Sequence, residues 1–367
     1  MKFSCEKSAF QKEIMIAQEV IASRSSISVV SNVFIEVVGN TLIIRATDIK
    51  IGFETRMPVD VLEEGSVTVF CDKLSGILAS IPDGILEIEH QDGKMKIKPS
   101  FKKATFTVKT ISSEQFPILP NMDQESFFLI PATDFKAMIT QTIFAVSDDE
   151  TRYFMNGVHF EKKENRVIMV ATDGRRLSYI KKEIANIPDF KSVIIPPKIL
   201  NIVNRRAADE GMIGIAVTER NIFIKFGMYQ LSSVLIEGQF PNYQKVIPES
   251  QTYSVSIKKS DVMDALKRVA IFVEQKSRRT FFELSEDTIV ISSEESDVGT
   301  AREELMCSYN GPKTLIALNL KYMEEPLKVM DTDSVRILFT ENSKAVTLAP
   351  EGSDAYFHIL MPMSAEQ

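Results

Sequence analysis

Apolar and polar positions along the chain fall into cassettes that return at a fixed distance. "KFSCEKSAFQKEIMIAQEVI" starts as an alternating strand, breaks at a serine, and continues as a helical pattern with Phe10, Ile14, Ala17 and Ile21 on one face. Ser8 and Gln11 have the spacing of a capping box at its start. The same pattern recurs in "LIPATDFKAMITQTIF" from Thr133 and in "SVSIKKSDVMDALKRVAIF" from Ser260, each about 125 residues further on. A second cassette keeps that period: "LIIRATD" (42–48), "VIMVATD" (167–173) and a weaker "TIVISSE" (288–294). A third is marked by Lys73, Lys198 and Lys321, each following an apolar strand and opening a helical pattern.

Between these marks lie short β-like runs such as "ILEIEH", "MKIKPS", "TFTVKT", "IGIAVT" and "IFIKFG", separated by turns like "QDG" and "TER". "EQFPILP", "GQFPNYQKVIP" and "AYFHILMPM" predict that each repeat closes on an apolar strand and a proline. The pattern therefore predicts an α+β protein of three similar domains, each with two helices on a largely antiparallel sheet. Periodicity stops in "NMDQES" (121–126) and "PESQT" (248–252), which sets the domains at 1–122, 126–249 and 252–367. The period is too long for a stacked solenoid.

Composition narrows the function. A formal net charge of −7 and a pI near 5.3 argue against a general polyanion binder, so any nucleic-acid role needs basic residues segregated onto one face. Two helical segments are locally basic. Residues 264–279 carry Lys267, Arg268, Lys276, Arg278 and Arg279, and residues 196–207 carry Lys198, Arg205 and Arg206 with no acid in the segment. Each alone reads as an ordinary solvated helix face; equivalent helices on one side of three domains would sum to a surface for phosphates. Cys5, Cys71 and Cys307 lie far apart without a CxxC pair, which predicts buried small hydrophobes rather than a disulfide framework or zinc site. The start lacks an apolar h-region, and no run of about 18 apolar residues occurs, so no signal peptide or membrane span is expected and cytoplasm is the default.

The catalytic inventory is thin. His90, His159 and His358 are isolated in strand-like contexts, and GxGxxG, GxxxxGK[ST] and GxSxG are missing from the sequence. The runs "SDDE" (147–150), "SSEES" (292–296) and "REEL" (302–305) read as solvated faces. No cofactor and no metal are expected. Two rival readings remain open: a Mg²⁺-dependent phosphoryl-transfer enzyme using "TD" and "EE" carboxylates, and a non-DNA scaffold on the same repeat. The enzyme needs carboxylates converging on two metals about 4 Å apart, and the repeat puts its "ATD" copies in separate domains.

"TRYFMNGVHFE" (151–161), "ATDGRRLSY" (171–179), "GQFPNYQKVIP" (238–248) and the terminal "MPM" (361–363), in that order, resemble the bacterial sliding-clamp family, the beta subunits of DNA polymerase III, over essentially the whole chain. The resemblance implies a three-domain, head-to-tail homodimer closed into a ring around duplex DNA, with no catalytic activity. Implied partners are double-stranded DNA without sequence preference, a second copy of the chain, a clamp-loader complex, the DNA polymerase III catalytic subunit and other proteins with a clamp-binding motif; no membrane is implied. DNA contacts carry over to Arg24, Arg152, Tyr153, Phe154, Lys198, Arg205, Arg278 and Arg279. A partner-peptide pocket carries over to Met155, Thr172, Gly174, Arg175, Arg176, Leu177, Pro241, Val246, Ile359, Leu360, Met361, Pro362 and Met363. The dimer seam carries over to Phe106, Val108, Ile271 and Phe272, with Lys102 and Lys103 facing Glu303 and Glu304.

Three departures stand out. Arg175 occupies a position where the family commonly has histidine, "SDDE" is acidic for a DNA-facing loop, and the tail "SAEQ" lacks a short basic ending seen in some members. The first-domain copy "ATDIKIGFET" keeps Ala-Thr-Asp but not Gly-Arg-Arg. The shared triplet thus reads as turn chemistry, with Asp173 bonding its local backbone, and Gly174 to Leu177 as what the second domain adds for a partner.

Overall fold

The computed structural model describes residues 1–21, 29–122 and 125–364. The first repeat runs β1 (Lys2–Glu6), α1 (Lys7–Val20), β2 (Asn32–Val38), β3 (Thr41–Thr47) and β4 (Ile51–Pro58). It continues with β5 (Asp60–Glu63), β6 (Gly65–Phe70), α2 (Cys71–Ser80), β7 (Ile85–Gln91), β8 (Lys94–Pro99) and β9 (Phe106–Ile111). The second has β10 (Phe128–Pro131), α3 (Ala132–Thr140), β11 (Val158–Lys163), β12 (Arg166–Thr172) and β13 (Arg176–Glu183). Then come β14 (Val193–Ile195), α4 (Pro197–Arg206), β15 (Met212–Val217), β16 (Asn221–Phe226) and β17 (Tyr229–Val234). The third has β18 (Tyr253–Lys258), α5 (Lys259–Val269), β19 (Arg279–Ser285), β20 (Thr288–Ser293) and β21 (Arg302–Met306). It ends with β22 (Thr314–Asn319), α6 (Leu320–Val329), β23 (Ser334–Phe339), β24 (Val346–Pro350) and β25 (Tyr356–Leu360).

Packing groups the chain differently from the repeat. One unit joins Met1–Thr133 to Lys198–Leu235, and the other joins Asp134–Pro197 to Ile236–Gln367. In the first, a 13-stranded sheet runs β10-β15-β16-β17-β4-β3-β2-β6-β9-β8-β7-β1-β5. In the second, an 8-stranded sheet runs β14-β11-β12-β13-β25-β24-β23-β18, beside a 4-stranded sheet β21-β20-β19-β22. Sheets cross from repeat to repeat at two antiparallel joins. β17 meets β4 from Tyr229↔Thr55 to Ser233↔Ile51, and β25 meets β13 from Tyr356↔Ile180 to Leu360↔Arg176. Among the described residues β21 is one of six strands that end a sheet, and β9, inside the 13-stranded sheet, pairs with β6 only at Thr110 and Ile111, so its Phe106–Lys109 stretch is open on one side.

Of the predicted stripe, Phe10, Ile14 and Ala17 are fully buried on α1, while Ile21 is buried just past its end and Val20 takes the last core position of the helix. Each large side chain withdrawn in this way contributes roughly 2 kcal/mol. The helix start differs from the expected capping box. α1, α3 and α5 begin at Lys7, Ala132 and Lys259, one residue before Ser8, Thr133 and Ser260, and the residues preceding α1 and α5 make no side-chain cap. Backbone does the work instead. The first N–H of each helix donates to a carbonyl just ahead of β7, β15 or β23: Lys7 to Gly84 (2.9 Å), Ala132 to Gly211 (2.9 Å) and Lys259 to Asp333 (2.8 Å).

The repeat endings also differ from expectation. "AYFHILMPM" does contain a strand, β25, but "EQFPILP" and "GQFPNYQKVIP" are irregular, the latter with a 3₁₀ turn at Tyr243–Val246. Their prolines cannot donate to a ladder. Cys5 and Cys71 are buried thiols whose burial pushes their pKa up to about 12, and Cys307 is half-buried.

Candidate functional site

The turn between β12 and β13 is built by its own side chains. Oδ1 of Asp173 accepts from the backbone N–H of Arg175 (2.9 Å) and of Arg176 (3.1 Å). Thr172 donates its hydroxyl to the Arg176 carbonyl at 2.6 Å and accepts from the Gly174 N–H at 3.1 Å. The geometry requires φ +87° at Gly174, the left-handed region that glycine enters without strain. A Cβ there would lie 2.9 Å from a guanidinium nitrogen of Arg152, so close approach is a second reason for glycine.

Arg176 is turned inward, only 6% exposed, rather than toward a ligand. Its Nε donates to Asp173 at 3.1 Å, one terminal nitrogen pairs with Glu325 of α6, and the other donates to the Phe144 carbonyl at 2.6 Å. The guanidinium lies 4.2 Å from the centre of the Tyr322 ring. Lys321 reaches the other oxygen of Glu325 at 3.5 Å. Asn319 caps α6 by accepting from the N–H groups of Lys321 and Tyr322. Glu325, Tyr322 and Phe144 were not legible as site residues; the only sequence signal was the Lys321 cassette that puts α6 here.

The other pocket candidates gather around this turn to different depths. Leu177 and Ile359 face each other across β13 and β25 and are buried with Ile168, Val170, Phe240 and Tyr243 in one apolar cluster. Leu360 and Met155 are buried as well. Past β25 the chain stays tied down: the Met361 N–H donates to the Arg175 carbonyl (2.9 Å) and the Met363 N–H to the Ala317 carbonyl (2.8 Å). Met361 is 46% exposed, Val246 is exposed, and Thr172 is buried, while Pro241, Pro362 and Met363 are partly covered and Arg175 and Gly174 reach solvent. A cleft of about 460 Å³ opens beside Met361 between Pro248–Thr252 and Thr340–Ala345; of the predicted lining residues it shares only Met361.

The predicted phosphate contacts are more neutralised than the sequence suggested. In the first unit, Lys198 donates to Asp48 and to the Val20 carbonyl, each at 2.6 Å. Arg205 and Arg206 both pair with Glu19 of α1. The segment has no acid of its own, but folding supplies two. In the second unit, Arg152 is held by Asp149 at 2.8 Å, in a 3₁₀ stretch that Asp149 also caps by accepting from the Thr151 N–H. The hydrogen bonds from Thr151 and Arg152 hold the Asp149 carboxyl below its usual range. Tyr153 is exposed and packs edge-on to Phe154 at 5.8 Å. Arg279 is committed to Glu294, and Arg278 occupies φ +52° just before β19. Arg24 and the last three residues of "SAEQ" lie outside the described residues.

Of the seam candidates, Phe106 and Val108 are partly covered on β9, Lys102 and Lys103 are exposed, Ile271 is exposed, and Phe272 packs beside Gly299. Glu303 already has an intrachain partner, both its oxygens accepting from Arg268, whereas among the described residues Glu304 has only a long 3.9 Å approach from Arg302. Among the described residues no three His, Cys, Asp or Glu side chains gather as a metal cluster, and no helix is long and apolar enough to cross a membrane.

Three consecutive stretches match the DNA polymerase III beta subunit family: its N-terminal domain over 1–120, its central domain over 129–242 and its C-terminal domain over 244–364. The chain is 45% identical over 371 residues to the beta sliding clamp of Treponema pallidum, with both chains covered completely. The crystal structure of the DNA polymerase III subunit beta from Pseudomonas aeruginosa superposes with a TM-score of 0.93 at 27% identity, covering 99% of this chain and 100% of that one. The DNA polymerase sliding clamp of Bacillus subtilis, 23% identical with a TM-score of 0.94, is alike in fold.

Proposed function

The chain belongs to the family of DNA polymerase III beta subunits, and from that premise we propose how its own residues do the work of a sliding clamp. It is a polymerase accessory subunit and not an enzyme: a homodimeric ring around duplex DNA that holds the replicative polymerase and meets a clamp loader. The observation that carries this is the full-length match in three consecutive parts on a chain that repeats itself three times. Its place of work is the cytoplasm.

The repeat supports a particular ring seam. At both joins within the chain, the last strand of one repeat lies beside the strand after the Thr-Asp hairpin of the repeat before it, β17 on β4 and β25 on β13. By that rule β9, the last strand of the first repeat, belongs beside β21 of the third, and both keep an open side. A second copy, head to tail, satisfies both at once and leaves neither of these two strands open to polymerise. Phe106 and Val108 of β9 then meet an apolar border that includes exposed Ile271 and Met306. Lys102 and Lys103 face Glu304 more readily than Glu303, which Arg268 holds.

Duplex DNA is held through Arg24, Arg152, Tyr153, Phe154, Lys198, Arg205, Arg278 and Arg279. Several of these are shared with a carboxylate, which suits a grip on phosphates that must slide: each contact exchanges an intrachain acid for a phosphate at small net gain. Partner peptides dock where the 172–177 turn, Pro241, Val246 and the 359–363 strand end come together, anchored by adaptable methionines. The test is Met361→Ala with Met363→Ala. Affinity for a peptide from the polymerase's clamp-binding motif falls by a few kcal/mol in fluorescence titration; unchanged affinity refutes the pocket.

A further inference from the structure

The pocket wall is held by an ion pair between buried Arg176 and partly covered Glu325, at positions where the first unit's join has none. Arg176 spans three elements: Asp173 in its own turn, the Phe144 carbonyl, and Glu325 on α6. Its neighbours along the ladder are the contacts that fix the pocket, because Arg176 faces Leu360 across the sheet and the Arg175 carbonyl receives the Met361 N–H. At the first unit's join, the repeat register puts Ile51 where Arg176 stands and Ile202 where Glu325 stands, and both are buried. An arginine and a glutamate are therefore not required at these two positions, and the first join ties its turn to its helix elsewhere, through Asp48 and Lys198. Burying a guanidinium and a carboxylate costs desolvation that their attraction only offsets, so the pair is poorly explained as a source of stability. What a directional pair adds over two isoleucines is a fixed distance and angle.

We propose that Glu325 is a positioning residue for partner binding. By holding the Arg176 fork between α6 and the turn, it fixes the height of Gly174–Leu177 against the strand end at Met361. Lys321 keeps the second Glu325 oxygen engaged, and the Tyr322 ring under the guanidinium prevents the fork from swinging out. Glu325 itself touches no ligand. It sets the width of a groove lined by the turn and the strand end, and this role rests on the pocket reading above.

The experiment titrates a fluorescein-labelled peptide from the polymerase's clamp-binding motif against the full-length dimer, with melting temperature measured in parallel. Glu325→Leu weakens the peptide at least ten-fold, and Glu325→Gln, which keeps the shape and one acceptor, about three-fold. Arg176→Ile with Glu325→Ile, copying the other join, melts at or above the parent temperature and still binds at least ten-fold more weakly. A purely structural role predicts that binding returns with stability in that double variant, and such a return overturns the proposal. Parent-like affinity in Glu325→Leu overturns it too, provided that Met361→Ala with Met363→Ala still loses the peptide. If Glu325→Leu does not fold, parent-like affinity in Glu325→Gln overturns it. Should the methionine variant also bind normally, it is the pocket itself that fails.

Discussion

The turns at 47–51 and 172–176 are the same device put to different use. In both, a threonine hydroxyl donates to the carbonyl four residues on and accepts the N–H two residues on. In both, an aspartate oxygen accepts from the N–H groups two and three residues on. The residue after the aspartate is left-handed in each, at φ +79° for Ile49 and +87° for Gly174. A β-branched side chain is strained there, and Ile49 is 74% exposed, so little burial compensates it. The second copy relieves that strain with glycine and adds a buried arginine. The strands that follow diverge likewise: Phe53 faces Leu231 at the first join, and Ser178 faces His358 at the second. Beside its turn the first join buries isoleucine, and the second buries an arginine tied to Asp173 and Glu325.

Substitutions at matched positions sharpen this contrast. Asp173→Ala leaves a buried guanidinium short of a partner as well as two turn N–H groups, and costs about 3 kcal/mol. Asp48→Ala, whose Lys198 partner reaches water, costs about 1–2 kcal/mol; equal losses in chemical denaturation would erase the distinction. Gly174→Ile imposes the strain that the first copy already carries and adds a clash with Arg152, for a loss of about 2 kcal/mol. His358 gives the second join a pH response. It is wholly buried with both ring nitrogens unpartnered, and burial, then the nearby Arg176 charge, lowers its pKa well below the ordinary value. The unfolded chain takes up a proton near pH 6.5 while the folded chain stays neutral. Stability therefore falls as pH drops below 6.5, by up to about 1.4 kcal/mol per pH unit from this one group. His358→Leu should remove that slope, and an unchanged slope contradicts the assignment. Ile49→Gly has the smallest effect, a gain of about 0.5–1 kcal/mol once relieved strain is set against glycine's chain entropy.

Repetition was the most legible property of the sequence because each cassette is local. The strands ending at Thr47, Thr172 and Ser293 and the helices containing Lys73, Lys198 and Lys321 fall where the period puts them. What escaped the sequence depends on distant partners. Ser8 looked like a cap because nothing local reveals that Gly84 supplies the carbonyl. The helix at 197–206 looked uncompensated because Glu19 and Asp48 are far away in sequence. Arg176 read as part of a pocket wall, and its anchor on α6 stayed hidden because Glu325 lies 149 positions on. The second repeat also divides its strands between two sheets, which no pattern inside one repeat could announce. Asp173 was read correctly as a turn former, since all of its backbone partners lie within three residues.

Retention on DNA tests the central claim most directly. The dimer is placed on nicked circular duplex by a clamp loader, and its release is followed before and after the circle is cut once. A ring that tethers without reading sequence stays on the circle and slides off the linear form, leaving little bound protein. Equal retention on both forms would mean that the protein grips DNA rather than encircling it, and the clamp account would fail.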